Sequence, residues 1–365
     1  MNKTVALCAA LLVALVGCSS KEKKPDSAGG VPQFKVDPFW PKPLPSNWML
    51  GQVAGIAVDK HDNVWIVHRP TTLLDDEKGA QLNPPTTKCC IAAPAVLQFD
   101  PQGNLLRSWG GKGQGYDWFE SEHGIFVDNE GNVWVGGNSP KDHHIVKFTP
   151  DGRFLQQLGK PGKSEGSNSQ TQLGRPAHMV VSGGELYVAD GYGNRRIVVF
   201  DAATLKYKRH WGAYGEAPHD NKLPPYYPRA ALMRSFSSPV HCVRVANDGL
   251  VYVCDRANDR VQVFEKNGRF VKEFRVEPET LQNGSVWDLV LLEDKAQKYL
   301  IVANGANGYM LVLNREDGQV VSTFSRPGRM AGELRWVHNV AIDSKGNVYT
   351  AEVGFGRRAQ KFVRQ

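Results

Sequence analysis

Six stretches of about 40 to 50 residues follow one another along the chain with the same internal pattern. The second, "HGIFVDNEGNVWVGGNSPKDHHIVKFTPDGRFLQQLG", and the fourth, "SPVHCVRVANDGLVYVCDRANDRVQVFEKNGRFVKEF", show it most plainly. Short apolar or alternating runs are separated by turns of Gly, Asn and Asp, which reads as antiparallel strands, four to a unit. Four-stranded units repeated radially make a propeller, so the expected fold is an all-β, six-bladed β-propeller. The first unit, "GQVAGIAVDKHDNVWIVHRP", carries an insertion before "AVLQFDPQGNLLRSWG", and the fifth, "VWDLVLLEDKAQKYLIVANGANGYMLVLNREDGQVVSTF", is the least regular. The sixth stops at Gln365 after its third strand. Its fourth is expected from "QFKVDPFW", residues 33–40, which would fasten the ring and remove an open edge.

In every unit the residue that opens the first strand occupies one structural address: Ala54, His123, Ala177, His241, Trp287 and His338. Histidine fills alternate addresses, and in a closed ring those three point at one axis. Three neutral imidazoles with an open fourth position are a catalytic zinc arrangement, and Mn²⁺, Fe²⁺ or Cu²⁺ suit the same ligands. The plainer alternative is a water-filled channel lined by histidine.

The first strand of a blade is innermost, and its start lies beside the end of the antiparallel second strand. Residues at both places therefore share one rim. That rule adds His68, Arg69, Asp142, His143, His144, Asp190, Tyr192, Asp255, Arg256 and Glu352. Arg69 and Arg256 are either surface residues with salt-bridge partners or a pair that holds a carboxylate beside the metal. Tyr192 either packs on the next blade or accepts a proton. His143 and His144 are candidates for a further ligand or a substrate contact, whereas His178, one place past its slot, is expected to point away from the axis.

Lys3 followed by the apolar run Val5 to Val16 reads as an export signal, too short to span a bilayer. "LVGCSS" is similar to a lipobox, so residues 1–17 are expected to be removed and Cys18 lipidated. Ser19 after the cysteine points to a bacterial outer membrane, with the protein facing the periplasm. Residues 18–32 then form a tether, and residues 33–365 the propeller. The formal charge of +7 would suit nucleic acid, but export argues against that partner and favours anionic lipid, cell-wall polymer or an anionic substrate. An exported chain can oxidise Cys89, Cys90, Cys242 and Cys254. Disulfides or buried thiols suit these four better than metal ligation.

The segments "GQVAGIAVD…VWIVHRP", "HGIFVD", "VADGYGNRRIVVF", "CDRANDRVQVF" and "VHNVAID" resemble the NHL-repeat family, and within it the catalytic propeller of the peptidyl-α-hydroxyglycine α-amidating lyases. The likeness runs from about Gln52 to the C-terminus. It implies zinc on His123, His241 and His338, a base at Tyr192, and substrate-binding arginines at Arg69 and Arg256. It also implies a structural calcium held by the carbonyls of Ile56 and Ile125 and by Asn339, where the family has Asp. Gly193 replaces a half-cystine, and Trp336 stands where a methionine lines the family's pocket.

The expected function is therefore a zinc-dependent lyase that cleaves the C–N bond of α-hydroxyglycine-like carbinolamides to an amide and glyoxylate. Its substrate would be a small molecule or peptide with a carboxylate. The alternative is a non-catalytic, envelope-anchored propeller that binds a ligand or protein partner. A gluconolactonase-like hydrolase fits less well, because such sites rely on carboxylate and Asn ligands.

Overall fold

Three hairpins are tied by an aspartate at the end of their first strand. In "VDKHDNVW", "VDNEGNVW" and "IDSKGNVY" one carboxylate oxygen accepts the N–H groups two and four residues on. Asp59 takes those of His61 and Asn63, Asp128 those of Glu130 and Asn132, and Asp343 those of Lys345 and Asn347. The aromatic residue six places on donates to the other oxygen, from Trp65 Nε1, Trp134 Nε1 or Tyr349 Oη. Such turns set the register of the two inner strands and so decide which face of each is buried.

The computed structural model describes residues 30–45 and 47–365, and it contains six four-stranded antiparallel sheets. The inner strands are Gln52–Val58, Glu122–Val127, His178–Ser182, Val240–Val245, Asp288–Leu291 and Val337–Ile342. Each packs on the next and the last packs on the first, which closes the ring. Adjacent blades bury their facing sides against each other. Val53, Ile56 and Ile66 of blade 1, for instance, meet Ala341, Tyr349 and Ala351 of blade 6.

The fourth strand of blade 6 is Phe34–Asp37, antiparallel to Ala359–Arg364 with Phe34 opposite Arg364, as the sequence led us to expect. Phe34 also packs on Phe324 of blade 5 at 4.5 Å, so the closing strand is fixed from two blades. The insertion of blade 1 lays Ile91–Ala92 parallel to Trp48–Met49 and ties itself to blade 6 through Glu77 and Arg357. Cys242 and Cys254 sit directly opposite one another and are bridged. The expected signal peptide, residues 1–17, the expected lipidation site Cys18 and all but the last residues of the expected tether lie outside the described residues.

Candidate metal centre

At the start of the inner strands the register slips by one residue, and the extra residue is the recurring slot. Val53 pairs with His68 and Gly55 with Val67; Val240 with Asp255 and Cys242 with Cys254; Val337 with Glu352 and Asn339 with Ala351. Blade 2 slips across Glu122 to Ile125 in the same way. In blades 3 and 5 the N–H groups of Ala177 and Trp287 donate to Ala189 and Ala303, residues already opposite His178 and Asp288. A bulge releases its residue from strand alternation and re-aims the side chain, here toward the channel.

Each slot histidine is then oriented by the next blade. His123 Nδ1–H donates to the carbonyl of Ala177 at 2.8 Å, His338 Nδ1–H to that of Ala54 at 2.6 Å, and His241 Nδ1–H to that of Trp287. Blades 2, 4 and 6 thus supply rings, and blades 3, 5 and 1 supply, from the same slot, the carbonyls that hold them. Close blade contact makes this possible. A Cβ at Gly124 would stand 2.8 Å from the Ala177 oxygen, so glycine there lets the two strands approach.

With every Nδ1 engaged, the Nε2 atoms are left to face one another. The three residues offer ligand atoms within 4.8 Å of each other, with ring centroids 4.6 to 5.3 Å apart. An imidazole whose other nitrogen donates to a carbonyl is the usual form of a metal-bound histidine. Burial holds all three rings neutral, His338 down to about 3 and the others well below 6.5. Neighbouring positive charge adds to this, from Arg69 on His123 and His338 and from Arg256 on His241 and His338.

Tyr192 completes the group. Its Oη lies 3.0 Å from His123 Nε2, 3.1 Å from His241 Nε2 and 3.4 Å from Arg256 Nη1. Arg256 is 8% exposed, lies over the Trp287 ring at 4.4 Å, and has a buried Nε with no acceptor among the described residues. Arg69 is held by neutral oxygens: Nε on Glu122 O, Nη1 on Gln52 Oε1 and Nη2 on Asn138 Oδ1. Trp336 packs edge-on against Trp287 at 5.3 Å and forms an apolar wall beside the histidines.

Other rim candidates do not join them. Asp190 and Asp255 accept the N–H of Gly174 and Ser237 and pair with Arg196 and Arg260, while Glu352 accepts Arg335 N–H and pairs with Arg358. Asp142 takes the N–H groups of Glu120, Ser121 and Ser139. These carboxylates brace the loops that lead into the inner strands, a need that spacing alone does not reveal. His68 accepts from Gly51 N–H and donates to Pro94 O; His143 and His144 bond to the carbonyls of Pro140 and Asp117. His178 is buried and stays outside the histidine cluster.

Of the expected calcium set Ile56, Ile125 and Asn339, the one side chain, Asn339, is already engaged. Asn339 Oδ1 accepts Ile56 N–H at 2.9 Å, and its Nδ2 donates to Asp288 at 2.5 Å. Asp288, the carboxylate beside them, already faces a cation, Arg244 Nη2 at 2.8 Å. A hard ion that needs six or more oxygens would have to displace this network.

No protein-family model matches the chain. It is 27% identical over 358 residues to NHL repeat-containing protein 3 of Mus musculus, across 91% of this chain and 84% of that protein. It is 28% identical over 357 residues to peptidyl-alpha-hydroxyglycine alpha-amidating lyase 1 of Drosophila melanogaster, across 89% of this chain and 58% of that one. The chain is a distant relative of both NHL-repeat proteins and amidating lyases. A solved streptogramin B lyase superposes with a TM-score of 0.51 at 12% identity, covering 91% of this chain and 98% of that one, which speaks for the fold alone. Shared repeats account for both kinds of relative, so the side chains around the axis carry the functional argument.

Proposed function

We propose that the chain is a zinc-dependent lyase that converts an N-acyl-α-hydroxyglycine to the amide and glyoxylate. The observation that carries this reading is Tyr192 Oη, within 3.1 Å of the converging nitrogens of two histidines and beside a buried arginine with no carboxylate partner among the described residues. Zinc held by His123, His241 and His338 would supply a Lewis acid that polarises the substrate hydroxyl.

Arg256 takes the substrate carboxylate, the anion its buried guanidinium lacks among the described residues. Arg69, fixed by three neutral acceptors, adds a positive field without closing on an internal acid. Tyr192 relays the proton: its oxygen takes the substrate hydroxyl proton while its own O–H proton passes to the departing amide nitrogen, as the carbonyl of glyoxylate forms and the C–N bond breaks. Trp287 and Trp336 shield the acyl side from water. An anchor at Cys18 would hold this activity at the periplasmic face of a bacterial outer membrane.

Glyoxylate release from α-hydroxyhippurate tests the proposal. Activity should depend on zinc and fall about 10²- to 10⁴-fold in Tyr192→Phe, the usual contribution of a positioned acid or base. Zinc-independent release, or full activity in that variant, would rule this mechanism out.

A further inference from the structure

Three guanidiniums surround Tyr192, and one carboxylate accounts for one of them. Arg256 lies with its Cζ 5.9 Å from the Tyr192 ring centroid, and Arg175 with its Cζ 5.7 Å from the same centroid. Arg69 and Arg175 hang on one residue, Arg69 Nη2 on Asn138 Oδ1 and Arg175 Nε on Asn138 O. Other arginines inside the ring, Arg196, Arg244 and Arg260, each meet a carboxylate. Arg69, Arg175 and Arg256 form no salt bridge among the described residues, and Arg175 Nη1 and Nη2 have no acceptor there.

Arg175 is also held in an unfavourable backbone conformation. Its φ is +59°, in the left-handed region, which costs a side-chain-bearing residue of order 1 kcal/mol or more and recurs where ligands are clamped. It stands two residues before its slot. The equivalent residue of blade 6 is Trp336, with φ +57°. Blades 3 and 6 are opposite one another in the ring, so this address carries a guanidinium with open donors on one side of the axis and, on the other, an indole packed on Trp287.

We infer that the preferred substrate is a dianion, with its glycine-derived carboxylate on Arg256 and a second carboxylate, at the far end of its acyl group, on Arg175. The acyl methylenes cross between Trp336 and the Tyr192 ring. Arg175 is then a specificity residue. It reads the acyl group and takes no part in bond cleavage. This inference rests on the lyase reading for the reaction, but the binding it describes can be measured without turnover.

The test is calorimetric binding of two unreactive analogues, N-succinylglycine and N-benzoylglycine, to the zinc-loaded protein. Wild type should bind the succinyl compound about tenfold or more tightly than the benzoyl one, as a charge-assisted bidentate contact would give. Arg175→Gly suits the left-handed backbone and so should fold. It should lower succinyl affinity about tenfold more than benzoyl affinity, and Arg175→Lys should restore part of the difference. Equal affinities in wild type, equal losses in Arg175→Gly, or no binding of either analogue would overturn the inference. Turnover of the α-hydroxy forms separates the two proposals. Glyoxylate released from both without preference would end this one and leave the lyase reading. A succinyl preference that needs Arg175 without any glyoxylate would do the reverse.

Discussion

Arg256 lies over Trp287, Cζ to ring centroid 4.4 Å, and the one hydrogen bond its guanidinium makes among the described residues runs to Tyr192 at 3.4 Å. A buried guanidinium without a counter-charge costs the fold stability unless a ligand brings one. Arg256→Met should therefore melt no lower than wild type, while weakening carboxylate substrates about 10- to 100-fold, the value of a charged hydrogen bond of roughly 1.5–3 kcal/mol. A melting curve and KM for α-hydroxyhippurate check this. Lower stability with unchanged KM would make Arg256 structural.

The channel beneath the histidines carries its own cation. Arg244 reaches Asp288, Leu289 O and Val340 O, and Asp288 also accepts from Asn339 and from Val340 N–H. Blades 4, 5 and 6 are thereby joined, and Asn339 extends the link to Ile56 of blade 1. Asp288→Asn leaves Arg244 without its partner and should destabilise by about 3–5 kcal/mol, as breaking a buried pair does. Calcium added to the zinc-loaded protein should leave the melting temperature where it is. A rise with calcium would restore the ion that this network replaces in our account.

Much of this arrangement was legible in the sequence. The repeats, their turns and the unpaired sixth unit led to the ring and to Phe34–Asp37 as its closing strand. Alternation of His123, His241 and His338 pointed to a common axis, because one address per repeat is all that geometry needs. The bulge was not legible, since a one-residue slip depends on strand pairing. Nor was the fate of Asp142, Asp190, Asp255 and Glu352, whose partners are backbone N–H groups that spacing does not reveal. Arg175, Gln52 and Asn138 act through position alone, and the one signal for Arg175 was a charged residue two places before a slot.

Acid should loosen the ring at His68. Burial lowers its pKa from 6.5 to about 4, against the opposing pull of its bonds to Pro94 and Ala93. The folded protein therefore prefers the neutral ring. That stability is complete above pH 6.5 and is lost as pH falls toward 4, a change of about 3 kcal/mol for this one group. Urea midpoints between pH 7 and 4 should fall, and His68→Gln should flatten the slope. An unchanged slope would show that His68 does not contribute to it.

Metal content tests the central claim most directly. Wild-type protein purified without chelator should carry one equivalent of zinc per chain, and His241→Ala, with its fold intact by circular dichroism, should carry well under a tenth of that, since losing one of three ligands lowers affinity by far more than tenfold. Equal metal in the two proteins, or none in the wild type, would contradict a three-histidine centre and the lyase chemistry that rests on it.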